Sequence, residues 1–203
     1  MKKSKTNIKP DTTVHKAITK KQTPARPLPG DRVAHADTAR MIRVDHAGEY
    51  GAVRIYAGQR AVMGESHKKA GLLKHMYEQE KVHLARFDKF INERGVRPTI
   101  MTPFWHVAGF ALGATTALMG EKAAMACTQA VEEVIDDHYQ EQLDKLNGSD
   151  PELEDMIEKF QAEEVEHKKI AEENGAEDAL GYPVLSGLIK AGCKAAIWVS
   201  KRV

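Results

Sequence analysis

Apolar side chains recur every three or four residues through most of this chain, which is the spacing of one side of an α-helix. Two of these stripes also contain a glutamate and a histidine three residues apart, Glu80 with His83 and Glu164 with His167. Residues i and i+3 are neighbours on a helix face, so each pair can bind one ion through an oxygen and a nitrogen. An unpaired buried carboxylate costs several kcal/mol. The pattern therefore predicts a positive partner for each pair, most simply a metal ion.

The two pairs belong to an internal repeat. A lone glutamate precedes each pair at nearly the same distance, Glu49 at 31 residues before Glu80 and Glu132 at 32 residues before Glu164. The chain is therefore predicted to form two helical hairpins, each giving one glutamate from its first helix and a Glu-x-x-His pair from its second. This is the ligand set of the four-helix bundles that bind two iron or manganese ions. One Glu-x-x-His pair arises often by chance, whereas two with matching upstream glutamates form a specific signal.

The length of 203 residues and the scarcity of strand signals predict one all-α domain. Capping residues, glycines and prolines place helices at about 37–63, 66–94, 121–146, 151–174 and 184–200. Ser66 is expected to cap the second helix, and Ser149 or Asp150 the fourth. Because the connection between the hairpins is long, we expect a ferritin-like four-helix bundle with up-down-down-up order. An apolar helix in this crossover and a C-terminal amphipathic helix would complete the fold.

The crossover, residues 98–120, contains no formally charged residue. This length is enough to span a bilayer. However, its prolines, glycines and threonines disfavour spanning, and a single crossing would place the two hairpins on opposite sides of the membrane. We therefore predict a helix lying on the membrane surface, to which the helix at 184–200 could add. A buried core helix or an oligomer interface is the alternative.

The first 35 residues differ from the rest in composition. Residues 1–32 carry nine lysines and arginines, two aspartates and four prolines, which predicts a disordered basic tail over 1–35 before a folded domain at 36–203. The tail lacks the apolar segment of a secretory signal. It could attract anionic lipid or simply be solvated. The net charge of +1 gives no argument for nucleic acid as a partner, and two cysteines fit a reducing compartment.

Several longer motifs identify a family. The run Arg43-Val-Asp-His-Ala-Gly-Glu-Tyr-Gly-Ala, the tetrapeptide Glu80-Lys-Val-His, the segment 126–139, the run Glu163-Glu-Val-Glu-His and the tripeptide 191–193 closely resemble the demethoxyubiquinone hydroxylases of ubiquinone biosynthesis. The resemblance covers residues 36–203. By position, it implies six iron ligands, and they are the six residues that the repeat selects: Glu49, Glu80, His83, Glu132, Glu164 and His167.

The chemistry of these ligands suits two iron ions. Four carboxylates balance two Fe(II) ions, and oxygen and nitrogen ligands with open positions favour iron and O₂ over structural zinc. We assign Glu49 with His83 to one iron and Glu132 with His167 to the other. The remaining carboxylates, Glu80 and Glu164, are then expected to bridge the two.

The resemblance implies an O₂-dependent di-iron monooxygenase that adds a ring hydroxyl to a polyprenyl methoxy-benzoquinone or its quinol. Electrons would come from NADH, which is not expected to bind tightly because no glycine-rich nucleotide loop is present. The implied partners are the membrane surface and a lipid-binding helper protein, and we expect a homo-oligomer. The expected location is the cytoplasmic face of a bacterial inner membrane, or alternatively the matrix side of the mitochondrial inner membrane.

Other residues and functions remain open at this stage. His46 could bond Glu49, and His138 could contact substrate or cofactor. Tyr56 and Tyr139, each seven residues after a lone glutamate, could support the site or belong to the core. The candidates for orienting the ligand histidines are Asp45, Glu163 and Asp137. One alternative function is a ferritin-like ferroxidase or iron store, which does not explain the apolar crossover. Another is a non-catalytic membrane or partner scaffold with structural metal.

Overall fold

The computed structural model describes residues 32–203, and all the regular structure among them is helical. The helices are α1 Arg32–Met63, α2 Ala70–Arg94, α3 Thr102–Leu118, α4 Glu121–Leu146, α5 Pro151–Glu173 and α6 Tyr182–Ser200, with a 3₁₀ turn at Ala176–Asp178. The all-α prediction is confirmed. The predicted basic tail lies almost wholly outside the described residues, and α1 begins five residues before the expected start at Asp37.

Side-chain contacts between helices give their relative directions. Gln59 of α1 bonds Ala124 near the start of α4, whereas Asp45 of α1 is bonded by Gln142 near the end of α4, so these two helices are antiparallel. The second helices of the hairpins, α2 and α5, are also antiparallel, because Arg94 of α2 pairs with Asp150 at the start of α5. The four helices α1, α2, α4 and α5 thus follow up-down-down-up order, consistent with a ferritin-like bundle.

Local signals fix most of the helix ends. The side chain of Asp150 accepts a hydrogen bond from the backbone N–H of Leu153, which caps α5 as expected, and Pro151 occupies its first turn. Gly95 ends α2 and Asn147 ends α4, both in the left-handed conformation. The capping preferences of individual residues therefore predict these helix ends correctly.

The expected start of α2 at Ser66 is wrong, because α2 begins at Ala70. His67 and Lys68 both lie against Glu121 at the start of α4, with Lys68 Nζ 3.0 Å from its Oε1. These contacts hold residues 66–69 as a turn between α1 and α2 that packs against the second hairpin. Tertiary contacts thus override the capping preference of Ser66.

Helix α3 packs along α1 at very short range. A Cβ atom added to Gly113 would lie 1.9 Å from the backbone oxygen of Ile55, and one added to Gly58 would lie 2.2 Å from the backbone oxygen of Phe110. The other side of α3 carries exposed apolar side chains, including Phe104, Val107 and Leu118. Within residues 32–203, none of the helices combines the length and the apolar character needed to cross a bilayer.

Two apolar layers fill the bundle and leave a polar layer between them. One layer contains Phe87, Phe90, Leu153, Ile157 and Phe160, all at most 3% exposed. The other contains Leu73, Met76, Met125 and Ala171, none of which is exposed. Burying a leucine or phenylalanine side chain stabilises a fold by about 1.5–3 kcal/mol, so these layers give the bundle the stability to hold polar groups at its centre.

Candidate metal centre

All six residues selected by the repeat meet in the polar layer at the middle of the bundle. Helices α1 and α4 contribute one glutamate each, and α2 and α5 contribute a Glu-x-x-His pair each. None of the six exceeds 2% exposure, and the set is Glu49, Glu80, His83, Glu132, Glu164 and His167. Ionisable side chains are rarely buried so completely unless they are paired or bind a metal ion.

The six residues form two overlapping groups of four. One group combines Glu49 and His83 with Glu80 and Glu164, and the other combines Glu132 and His167 with the same two glutamates. Within each group, one ligand atom per residue lies within 4.8 Å of the others. Two groups that share two carboxylates can hold two cations side by side, with the shared carboxylates between them.

Both histidines turn the same ring nitrogen towards the centre. His83 Nδ1 lies 2.9 Å from Glu164 Oε1 and 3.4 Å from Glu49 Oε2. His167 Nδ1 lies 3.1 Å from Glu80 Oε1 and 3.1 Å from Glu164 Oε2. In each ring, Nε2 points outwards and is free to form a different hydrogen bond. This is the arrangement of a histidine that binds metal through one nitrogen and is oriented through the other.

The charges of the centre favour a bound cation. Burial and neighbouring carboxylates raise the pKa of Glu80 and Glu132 well above its usual value. Burial alone would lower the pKa of His83, but the close carboxylates of Glu164 and Glu49 raise it to about 12. Burial opposes ionisation of Glu164 too, yet the hydrogen bond from His167 and the nearby imidazole of His83 lower its pKa to about 2. Bound protons thus compensate for the carboxylates where cations would otherwise do so.

Unsatisfied atoms give the same result. Buried atoms without a hydrogen-bond partner in the described part of the chain include Glu49 Oε2, both carboxylate oxygens of Glu80, His83 Nδ1, Glu132 Oε2 and Glu164 Oε1. Buried polar atoms nearly always have a hydrogen-bond partner. Several such atoms without a partner around one point therefore indicate a bound ligand. Oxygen and imidazole donors are the ligands that iron and manganese accept, and the donor set therefore fits either metal.

Two tyrosines bond the lone glutamates from the opposite hairpin. Tyr56 Oη donates to Glu132 Oε1 over 2.9 Å, and Tyr139 Oη donates to Glu49 Oε1. Both rings are 1% exposed. The tyrosines therefore form part of the core and also fix the orientation of two carboxylates that face the centre.

The outward nitrogens of the two histidines have partners as well. His83 Nε2 lies 2.6 Å from Glu163 Oε2, and His167 Nε2 lies 3.0 Å from Gln79 Oε1. Glu163 is thus the one orienting candidate of the sequence analysis that reaches a histidine of the centre. Sequence reasoning missed Gln79, although the signal was present, because Gln79 and Glu163 each directly precede a Glu-x-x-His pair.

Other candidate residues lie outside this centre. The hydrogen bond of His46 goes to Asp88 of α2 at 3.0 Å and not to Glu49, because its ring points across to the neighbouring helix. His138 and Asp45 meet in a separate cluster, in which Gln142 Nε2 contacts both side chains. Asp137 is exposed on α4. Neither Asp45 nor Asp137 therefore has the orienting role considered for it.

A large apolar cavity of about 610 Å³ lies between α1, α3, α4 and α6. Its walls include Trp105 of α3 and Leu185, Ile189 and Cys193 of α6. Ala52 also lines it, one helical turn from Glu49, as does Ile135, one turn from Glu132. An elongated apolar molecule could therefore lie along the same helices that carry the buried carboxylates.

Comparison with known proteins places the chain in a family. The family model described as "Ubiquinone biosynthesis protein COQ7" matches residues 36–200. A Rhodospirillum rubrum protein named 3-demethoxyubiquinol 3-hydroxylase is 58% identical over 176 residues, covering 87% of this chain and 83% of the relative. A human protein, "NADPH-dependent 3-demethoxyubiquinone 3-hydroxylase, mitochondrial", is 49% identical over 177 residues, covering 85% and 81%.

A more distant relative gives the same result. A Saccharomyces cerevisiae protein named "5-demethoxyubiquinone hydroxylase, mitochondrial" is 40% identical over 181 residues, covering 81% of this chain and 77% of the relative. These similarities do not support the alternative of a ferroxidase or iron store. The match extends over nearly all of the described residues, including every residue of the buried centre. The chain belongs to the ubiquinone biosynthesis protein COQ7 family.

Proposed function

We propose that this protein is an O₂-dependent di-iron monooxygenase that hydroxylates the ring of a demethoxyubiquinone, or of its quinol, in ubiquinone biosynthesis. The observation that carries the proposal is the pair of buried four-residue groups sharing Glu80 and Glu164, in a bundle whose helices α1 and α4 also line an apolar cavity. Membership of a family whose named members are demethoxyubiquinone hydroxylases supports the reaction type.

In this proposal, one iron is held by Glu49 and His83 and the other by Glu132 and His167. Glu80 and Glu164 would bridge the two ions, since both carboxylates belong to both groups. Two irons bound there would activate O₂ and supply the electrons for transfer of one oxygen atom to the ring. The four carboxylates balance the charge of two Fe(II) ions, which makes the loaded centre tolerable inside an apolar bundle.

The substrate is proposed to lie in the apolar cavity. Its ring would lie against Ala52 and Ile135, each one turn from a ligand glutamate, and its prenyl tail would extend between α3 and α6. The walls there are apolar side chains, which suit a hydrocarbon tail and offer few groups to hold water. Exclusion of water near the ring protects the oxidising centre from side reactions.

The remaining residues of the centre have supporting roles. Tyr56 and Tyr139 would hold the terminal glutamates in a fixed orientation through their hydroxyl groups. His138 lies outside the ligand groups, with burial lowering its pKa to about 4, so its ring is neutral at physiological pH. We assign His46 to packing between α1 and α2, because its bond is to Asp88.

Electrons are proposed to come from a nicotinamide nucleotide that binds transiently. Several relatives carry NADPH dependence in their names, and NADH is the donor expected from the sequence. We further propose peripheral attachment to the cytoplasmic face of a bacterial inner membrane through the exposed apolar side chains of α3. A homo-oligomer and a lipid-binding helper protein complete the proposed surroundings of the enzyme.

The proposal is tested by turnover of Fe(II)-loaded protein with a demethoxyquinone analogue, NADH and ¹⁸O₂, followed by mass spectrometry. We expect a product that is heavier by one labelled oxygen. Glu164→Ala should remove both the product and the bound iron, because Glu164 belongs to both ligand groups. Glu166→Ala is the matched control, since Glu166 lies two residues away on the exposed side of α5. Binding of two irons with no labelled product under any reductant would contradict the proposal.

A further inference from the structure

The repeat that supplies the proposed ligands also supplies their neighbours. Gln79 directly precedes Glu80 in the first hairpin, and Glu163 directly precedes Glu164 in the second. Each of these residues crosses to the histidine of the opposite hairpin. Glu163 of α5 contacts His83 of α2 at 2.6 Å, and Gln79 of α2 contacts His167 of α5 at 3.0 Å. The two contacts are therefore equivalent by position but differ in chemistry.

The difference is between a carboxylate and an amide. Glu163 offers a charged acceptor to the imidazole N–H of His83, whereas Gln79 offers the neutral oxygen of an amide to His167. Charge-assisted hydrogen bonds are shorter and stronger than neutral ones, in agreement with the two distances. Apart from His83 itself, the described residue that places a cation within 4 Å of Glu163 is Lys159, on the exposed side of α5, at 3.8 Å. An exposed pair of this kind neutralises little of the carboxylate's effect.

The rings around the two histidines differ in the same way. His83 stacks on Phe160 with ring centroids 4.0 Å apart, which fixes its plane from one side. His167 makes a T-shaped contact with Tyr56, with ring centroids 6.2 Å apart. His83 is thus held by a stacked ring and a carboxylate, while His167 is held more loosely by an edge contact and an amide. The contacts around the two histidines are thus equivalent in position, but those of His83 are stronger than those of His167.

We infer that Glu163 and Gln79 are positioning residues that make the two metal positions unequal, with the Glu49–His83 position binding metal more tightly and favouring the oxidised ion. A hydrogen bond from a ligand imidazole to a carboxylate increases electron donation to the metal and fixes the ring orientation. Donation and the added negative charge stabilise the higher oxidation state. The inference rests on the proposed metal centre and goes beyond it by ranking its two positions.

The first test is calorimetric titration of the metal-free protein with Co(II) under argon. Two binding steps are expected, and Glu163→Gln should weaken the tighter step roughly 10- to 100-fold. Gln79→Glu should raise the affinity of the weaker step, so that the dissociation constants of the two steps become similar. Glu166→Gln, an exposed change on the same helix, is the matched control and should leave both steps unchanged.

The exchanged variant, Glu163→Gln with Gln79→Glu, separates positioning from general stability. It keeps the same atoms around the centre and should restore two separate steps, with their order reversed. Glu49→Gln should therefore remove the tighter step in the natural protein and the weaker step in the exchanged variant. A purely structural role for Glu163 would not reverse the order of binding.

A second measurement follows the iron-loaded protein during reductive titration by electron paramagnetic resonance. The natural protein and the exchanged variant should accumulate more of the one-electron-reduced pair than either single variant, because their two irons differ most in reduction potential. Two Co(II) ions that bind equally in all variants would overturn the inference and leave the metal centre intact. Absence of Co(II) binding, or binding that persists in Glu80→Ala and Glu164→Ala, would instead refute the proposed centre itself.

Discussion

Tyr56 of the first hairpin donates a hydrogen bond to Glu132 of the second over 2.9 Å. The reverse contact is also present, since Tyr139 of the second hairpin donates to Glu49 of the first. Each tyrosine follows the glutamate of its own hairpin by seven residues but supports the glutamate of the other. The two hairpins therefore complete each other's carboxylates, and neither has a full set of contacts alone.

This exchange predicts the effect of Tyr56→Phe. The change keeps the ring but removes the hydroxyl, so Glu132 loses a buried hydrogen bond. Leaving a buried polar group unsatisfied costs about 1–3 kcal/mol, and we expect a loss of this size in the free energy of unfolding of the metal-free protein. Urea denaturation measures it. Tyr77→Phe is the control, because Tyr77 is half-buried under Arg60, and a similar loss there would contradict the explanation.

The pKa shifts predict that the metal-free protein becomes less stable as the pH rises above about 6.5. The pKa of His83 is raised to about 12, so the folded protein keeps a proton that the unfolded histidine loses above its ordinary pKa, and the raised pKa values of Glu80 and Glu132 act in the same direction. The folded state therefore binds more protons, and each such group lowers the free energy of unfolding by up to about 1.4 kcal/mol per pH unit.

Urea denaturation in chelator at pH 6.5, 7.5 and 8.5 tests this dependence. Glu80→Gln, which cannot titrate at this position, should reduce the slope. Added metal should reverse the trend, because a bound cation displaces the protons and its affinity rises with pH. The lowered pKa of Glu164, about 2, acts only at lower pH. The lowered pKa of His138, about 4, weakly opposes the trend near pH 6.5, because the unfolded histidine is still losing its proton there. Greater stability of the chelated protein at pH 8.5 than at pH 6.5 would refute the assignment.

Filling the apolar cavity should impair turnover of long substrates first. Gly51 lines this cavity, and a side chain added there meets no atom within 4 Å at its Cβ, so Gly51→Leu should fold and occupy the space. We expect kcat/KM to fall at least about tenfold for a long prenyl tail and less for a short one, since the loss is one of apolar contact. Gly71→Leu, at an open position on α2, provides the comparison and should have wild-type kinetics.

The glycines between α1 and α3 predict two opposite responses to alanine. Gly113→Ala would place a methyl group 1.9 Å from the backbone oxygen of Ile55, so the helices must separate, at a cost of about 1–3 kcal/mol or more. Gly187→Ala in α6 meets nothing within 4 Å and should stabilise the protein by about 0.5–1 kcal/mol. In thermal unfolding, Gly113→Ala should lower the melting temperature and Gly187→Ala should raise it. Equal changes in the two variants would argue against the close helix contact.

Attachment to membranes through α3 can be tested with vesicles of neutral and anionic phospholipid. Phe104 and Val107 are exposed apolar residues on this helix, and replacing both with serine removes area that would enter the lipid boundary. We expect about a tenfold or greater loss of co-sedimentation, given the free energy of burying such side chains. Val82→Ser, at an equally exposed valine of α2, should bind vesicles as the natural protein does.

Much of this architecture could be predicted from the sequence because its signals are local. Helix spacing, the Asp150 cap and the stop at Gly95 depend on neighbours in the chain, and the repeat brings all six buried residues of the centre together without knowledge of packing. The start of α2 could not be predicted, since it depends on the contact of Lys68 with Glu121 in another hairpin.

Residues that act across the bundle were harder to identify. The partner of His46 depends on how α1 is rotated about its axis. A sequence pattern shows which face of a helix is buried but does not give this rotation more finely. Gln79 reaches a histidine 88 residues away, and an amide next to a glutamate carries no signal until the two hairpins are aligned. The glycines of α3 fit both a membrane segment and a tight helix contact, and only packing distinguishes these.

The near-contact of the α1 and α3 backbones constrains how a lipid reaches the buried centre. At Gly113 and Gly58 the two backbones pack directly against each other, so a prenyl chain cannot pass between these helices. The cavity wall formed by α6 is different, because a Cβ atom at Gly187 or Gly192 meets no atom within 4 Å. We therefore expect a lipid substrate to enter along α6, so that the last helix of the chain would control access to a centre built from α1, α2, α4 and α5.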